Sequence, residues 1–378
     1  IFVQHVEGIA RQQAGFNNYT FAGSNFETDW SNLYVDALQN LNIMINNSTE
    51  NGYNHFNGVG QILKAFTLLL MTDYWNHIPY KEAFDGINNL QPIYDSQESI
   101  YSEVHSLLVS GRKSLNLDDG GLALSGDLIY GGDIALWIKA SHAIAARAFL
   151  HQALINNSNY TSALNSIQNS FSSTIDDMNF KFGESATTAA PWYQFNRDRG
   201  DIGFNSTFGD ALNAMNDPRL DIYDGDGSSL FGDVVETHEF FTISQAVELI
   251  SYTELMFIKA ECLIKTNDSQ TEIRNAYFSG IESSFKKLGI STELYNTYIS
   301  QENVSPEKIT LQNIMTQKWF ALYTNPESYS DWRRTNIPSL SPNNGVSIPT
   351  RWLYPQSETE LNPNTPKALL TDKVDWDN

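Results

Sequence analysis

Between Gln61 and Asp95 the chain reads QILKAFTLLLMTDYWNHIPYKEAFDGINNLQPIYD, and the first half of this stretch leaves few architectures open. From Ile62 to Met71 only Lys64 and Thr67 interrupt an apolar run, so a helix here is wetted on little of its surface and belongs in a core. The run is well short of the roughly 20 apolar residues a membrane span needs. Pro79 lacks an amide hydrogen and Gly86 favours a turn, which predicts that the helix stops near Trp75. An irregular segment carrying Trp75, His77, Tyr80 and Phe84 follows.

With 378 residues the chain can bury a large core, as one big domain or two ordinary ones. A formal charge of −21 argues against nucleic acid as a partner, because phosphate binding needs a basic face. The acidity reads most simply as a solubility feature. One cysteine, Cys262, excludes an intrachain disulfide, and its setting in MFIKAECLI reads as a small buried core residue rather than a reactive thiol. The opening IFVQHVEGIARQQ looks like the inside of a helix, so a targeting sequence and any lipid-bearing cysteine are expected upstream of residue 1.

Helical periodicity recurs along much of the chain. WSNLYVDALQNLNIMIN is amphipathic, with Asp29 as its expected cap. SQESIYSEVHSLLVSGRKSL gives a second helix, and Asp133 caps a third, IALWIKASHAIAARAFLHQAL, whose alanines permit close helix contacts. Residues 160–170 read as a further helix. From 174 to 245 the periodicity fades into aromatic, Asn, Asp and Gly residues, a length that points to functional loops. It returns at Ser251 with a capping box to Glu254, and a second helix ending at Gly289 makes 251–289 a helical hairpin. Near the C-terminus Ser305 is the expected cap of the helix that runs through ITLQNIMTQKWFALYT, with Pro306 in its first turn.

Few motifs point to reaction chemistry. His142 and His151 lie nine residues apart on one helix and project to opposite faces, so they cannot share a metal. Asp224, Asp226 and Ser228 alternate as calcium-loop ligands do, but Ser229 and Val235 stand where that loop needs glycine and glutamate; a simple acidic turn is the better reading. Among 44 acidic residues some pair always lies at a glycosidase separation, so abundance is no argument for hydrolysis. Glu254 reads as a capping residue and Glu261 as a packing or hydrogen-bonding one. Arg333, Arg334, Trp352 and Tyr354 read as closing the fold.

Five strings in order carry a resemblance over residues 60–365. They are DYWNHIPYKEA with its P-x-YD turn, DLIYGGD followed by Trp137, Lys139 and Arg147, DPRL at Asp217 to Leu220, SYTELMFIKAE, and the closing QKW-x-A, D-x-RRT and IPTRWLYP run. The chain resembles the SusD/RagB family of bacterial outer-membrane lipoproteins, with Asn76 standing where that family often has glycine. The resemblance implies an all-α fold of tetratricopeptide-like helical hairpins with long irregular aromatic loops and little β structure, in a single SusD-like domain over 1–378. It implies non-catalytic capture of an oligosaccharide at the cell surface and delivery to a SusC-like TonB-dependent transporter, with no cofactor and with membrane association only through an N-terminal lipid anchor. A peptide cargo, a glycoside hydrolase and a scaffold for a protein partner remain open as alternatives.

Within that frame the 174–245 region is where the ligand site is expected. A sugar ring has apolar C–H faces and a rim of hydroxyls, and it is bound by flat aromatic rings edged with planar polar groups. Trp192, Tyr193, Asn196, Asp198, Arg199 and Asn205 supply those types, although the same aromatics could simply anchor a long loop. Trp75 and Tyr80 are added from the helix exit, where a structural role would also account for them.

Overall fold

The computed structural model describes residues 1–119, 122–225 and 231–377. It is 57% helix and 4% strand, which makes it an all-α protein in which helix packing has to provide the core. The chain divides into two compact units, one of residues 1–20, 163–167 and 171–347, the other of 21–162, 168–170 and 348–378. Among the described residues no helix is long and apolar enough to cross a membrane.

The first unit is built on the helical hairpin Tyr252–Lys265 and Gln270–Lys287. Each of these helices starts at a serine whose hydroxyl accepts the amide three residues on, Ser251 from Glu254 at 3.4 Å and Ser269 from Glu272 at 3.2 Å. Their shared face buries Phe257, Ala260, Ile273, Ala276, Tyr277 and Ile281. The helices Leu311–Ala321 and Glu327–Thr335 follow. The expected cap at Ser305 is displaced to Thr310, which exchanges capping hydrogen bonds with Asn313. The Ser305 hydroxyl instead donates to the Ile299 carbonyl. Thr310 prevails because its partner stands three residues on, at the spacing a reciprocal cap needs.

The opening stretch is helical only at its end, where the helix Arg11–Asn17 begins. Val6–Gly8 is a strand paired antiparallel with Ile202–Phe204, Val6 opposite Phe204. A second two-stranded pair joins Met178–Phe180 to Val247–Ile250, with a register shift between Met178 and Asn179. The 174–245 region also contains the short helices Pro191–Asp198, Ser206–Ala214, Arg219–Asp224 and Phe231–Val234. None exceeds nine residues, too few turns for an apolar period to stand out in the sequence. Of the possible calcium turn, Asp224 ends a helix and Asp226, Ser228 and Ser229 lie outside the described residues.

The second unit packs Asn54–Trp75 against Gln97–Leu115, with Ile134–His151 alongside. Asp133 caps the last of these, accepting the Leu136 amide at 3.1 Å. After a 3-10 turn at Gly23–Phe26, the first α-helical run of the unit begins at Glu27 and continues through a π-helical segment, Asn32–Gln39, to Asn51. Asp29 therefore lies inside the helix, and Phe26 occupies the cap position. The core helix does stop at Trp75. Asn76 takes φ 69° and ψ −97°, a positive-φ conformation outside the left-handed helical well that glycine enters freely, which gives a physical reason for glycine being common at this position.

Two helices of this unit approach backbone to backbone at Gly58 and Gly111. A Cβ on Gly58 would stand 2.8 Å from the Gly111 carbonyl oxygen, and one on Gly111 would stand 2.9 Å from the Gly58 oxygen. Backbone cannot move away as a side-chain tip can, so Gly58→Ala should lower stability by about 1–3 kcal/mol despite alanine's better helix propensity. Gly15→Ala, where nothing lies within 4 Å, should leave stability unchanged or raise it slightly. Urea midpoints of the two variants check this contrast.

Candidate functional site

A cleft of about 440 Å³ opens in the first unit. Its lining comes from six separate stretches: the strand at Asn179, the start of the Pro191–Asp198 helix, Ile222 and Tyr223 of the Arg219–Asp224 helix, residues within 239–248, the end of the Gln270–Lys287 helix, and the turn at 321–326. The Ala190 amide donates to the Ile243 carbonyl at 2.8 Å, tying two of these stretches together. The register shift leaves Leu249 as an extra residue in the facing strand, between Glu248 and Ile250, and such an insertion re-aims the side chains beside it.

The apolar part of the cleft is a chain of aromatic rings. Trp192 stacks on Phe241 at 5.1 Å, Phe240 meets Tyr323 at 4.9 Å, and Tyr223 stacks on Tyr323 at 4.4 Å. Phe208 backs Tyr323 almost face to face, at 5.2 Å and 9°. Rings held on both sides cannot rotate away, so the surface they offer is preorganised.

The polar part is equally well fixed. Lys287 pairs with Glu248 at 2.6 Å and lies 3.9 Å from Asp177. Asn325 donates to the Glu248 carbonyl at 3.2 Å. Burial pushes the Asp177 carboxyl up to about 7, against the pull of Lys287. Two buried polar atoms of lining residues, the Asn179 side-chain oxygen and the Tyr323 hydroxyl, have no hydrogen-bond partner within the protein. Such atoms are costly to leave unsatisfied. Thr324, also in the lining, holds φ 63°, a strained conformation for a β-branched residue and one that clusters at binding sites.

Of the eight residues expected to bind ligand, Trp192 lines this cleft. Tyr193 is buried and its hydroxyl donates to both oxygens of Glu236 at 2.9 Å. Asn196 is buried in the same helix. Asp198 and Arg199 are exposed, Asp198 paired with the adjacent Arg197 at 2.7 Å. Asn205 is spent on capping the Ser206–Ala214 helix through the Thr207 amide.

The two residues from the helix exit belong to the other unit. Trp75 is fully buried, its indole donating to the Leu353 carbonyl at 2.8 Å, so it offers no face to a sugar. Tyr80 donates to Glu103 at 2.8 Å, and the Lys64 ammonium stands 5.0 Å from its ring centre. Sequence reasoning missed Asn179, Tyr223, Phe240, Glu248, Lys287 and Tyr323. The aromatic density of 174–245 could have flagged Tyr223 and Phe240, whereas Lys287 and Tyr323 end regular helical patterns and carry no signal.

A family model for SusD-like proteins, described as starch-binding and associating with the outer membrane, matches residues 1–355. A search of curated proteins finds no match. Among solved structures, a chitin-binding protein is 24% identical with a TM-score of 0.84, covering 100% of this chain and 93% of its own. A chitin-binding SusD homologue from Flavobacterium johnsoniae is 20% identical, with a TM-score of 0.82 and coverage of 100% and 92%. A SusD/RagB family protein from Bacteroides thetaiotaomicron is 22% identical, with a TM-score of 0.81 and coverage of 96% and 89%. At these identities the likeness is one of fold.

The Asp177 carboxyl sets a pH dependence. Its ordinary value is 3.8 and its folded value about 7, so between those limits the folded chain holds a proton that the unfolded chain has released. Its contribution to stability is therefore present at low pH and is lost as pH rises from about 4 to about 7. Asp177→Asn, whose side-chain oxygen can still accept the Tyr252 amide, should remove that slope. The difference between wild-type and variant urea midpoints across this pH range measures it.

Proposed function

The chain belongs to the SusD-like family, described as starch-binding and associating with the outer membrane, and on that premise we propose that it captures a neutral oligosaccharide in the cleft of its first unit without cleaving it. The observation that carries this reading is the juxtaposition of stacked rings with unsatisfied polar atoms. Trp192 and Phe240 offer half-buried aromatic surface, backed by the buried rings of Tyr223 and Tyr323. The Asn179 oxygen and the Tyr323 hydroxyl are satisfied when sugar hydroxyls reach them. Rings recognise the C–H faces and the polar atoms recognise the rim.

The charge in the cleft narrows the ligand further. Glu239 and Glu248 line it, and Lys287 is the cation among its described lining residues, already paired with Glu248. A uronate or sulfated chain would meet carboxylates without a free positive partner, so a neutral glycan fits better. The two chitin-binding proteins of the same fold support a glycan as the class of ligand. Handover to a TonB-dependent transporter and lipid anchoring at the cell surface complete the proposal and rest on family resemblance.

Trp192→Ala and Phe240→Ala should each weaken binding of maltohexaose or chitohexaose by roughly ten-fold, the scale of one lost aromatic contact, with melting temperature little changed. Calorimetric titration measures the affinity, and a reducing-end assay in the same samples should stay flat. Equal affinity in both variants would remove the cleft from the binding site, and new reducing ends would make the protein a hydrolase.

A further inference from the structure

The second unit contains a groove of its own, of about 520 Å³, which the binding reading above does not use. On adjoining helices His105 and Phe149 stack at 4.1 Å with their planes 23° apart, both half-buried, so the inner face of each ring is taken by the other and the outer faces and edges of the pair line the groove. His105 is held in place by Gln152, its Nε2 lying 3.2 Å from the amide oxygen. Burial keeps its imidazole below the ordinary value, and the ring is neutral at physiological pH.

The rest of the lining is suited to a hydroxylated ligand. Gln152, Asn156 and Asn159 contribute amides and Ser102 a hydroxyl. The buried Tyr101 and Trp376 line it too, and both donate to one carboxylate oxygen of Asp73, the indole at 2.9 Å. Groups locked by buried hydrogen bonds make a rigid support for a site. No lysine or arginine occurs among the described lining residues, while Glu98 and Asp375 do, which disfavours an anion.

We propose that the groove beside His105 and Phe149 is a second binding site for a neutral oligosaccharide, independent of the cleft lined by Trp192. The proposal takes its ligand class from the glycan-binding reading and its location from residues of the other unit.

Calorimetric titration of the full chain with maltohexaose and chitohexaose tests this. The wild type should take up two equivalents of the glycan it prefers. Phe149→Leu, which keeps volume but removes the flat face, and His105→Ala should each weaken one of the two events roughly ten-fold, with circular dichroism melts confirming the fold. Trp192→Ala should weaken the other event and leave this one. A single equivalent together with unchanged affinity in Phe149→Leu and His105→Ala overturns the second site while sparing the cleft. Loss of all binding in Phe149→Leu with none in Trp192→Ala leaves the groove standing and removes the cleft. A wild type that binds neither glycan overturns both.

Discussion

Four charges inside the first unit hold the framework on which the cleft depends. Arg334 forks onto Glu261 with bonds of 2.6 and 2.8 Å and reaches Asp331 at 3.0 Å, and Lys318 closes on Asp331 at 2.6 Å. All four are buried. Burial alone would raise the Asp331 carboxyl, yet Lys318 and Arg334 hold it below its ordinary value. Removing one partner from such a set strands a buried charge at a cost of about 3–5 kcal/mol. The network ties three helices together, and the turn that carries Tyr323, Thr324 and Asn325 connects two of them. A second buried pair works beside it: Arg219 binds both oxygens of Asp217 and reaches Gln317 at 2.7 Å and Ser284 at 3.2 Å. Ser284 lines the cleft one turn before Lys287.

The second unit uses a carboxylate hub instead. Asp73 lies 3.0 Å from His151 and accepts from Tyr101 and Trp376, so one residue at the end of the core helix joins two further helices and the C-terminal turn. The neighbouring Asn76 adds a reciprocal pair with Asp375, at 2.9 and 3.0 Å. Polar residues at this helix exit are thus occupied with holding the chain together, and Trp75 among them is fully buried.

A binding protein needs surfaces that do not reorganise when ligand arrives, because every side chain ordered on binding subtracts from affinity. Both cavities meet that need in the same way. Stacked rings form the apolar surface, and hydrogen-bonded or ion-paired groups behind them fix its shape. The helical body supplies rigidity, and the irregular segments supply the side-chain variety.

The sequence by itself determined the helical class, the core helix and its stop at Trp75, the serine cap at 251, and membership of a family whose motifs run along the chain. Those are properties of neighbouring residues: an apolar period, a proline, a hydroxyl three residues before an amide. Tertiary structure alone decided which aromatics line the cleft. Trp192 was legible because it stands in an aromatic, aperiodic stretch, but Tyr193 beside it is consumed by Glu236, and Tyr323 from a distant helix end completes the cleft. Exposure of a ring depends on what packs against it, and here those partners come from stretches more than a hundred residues apart. Local composition holds no record of that packing.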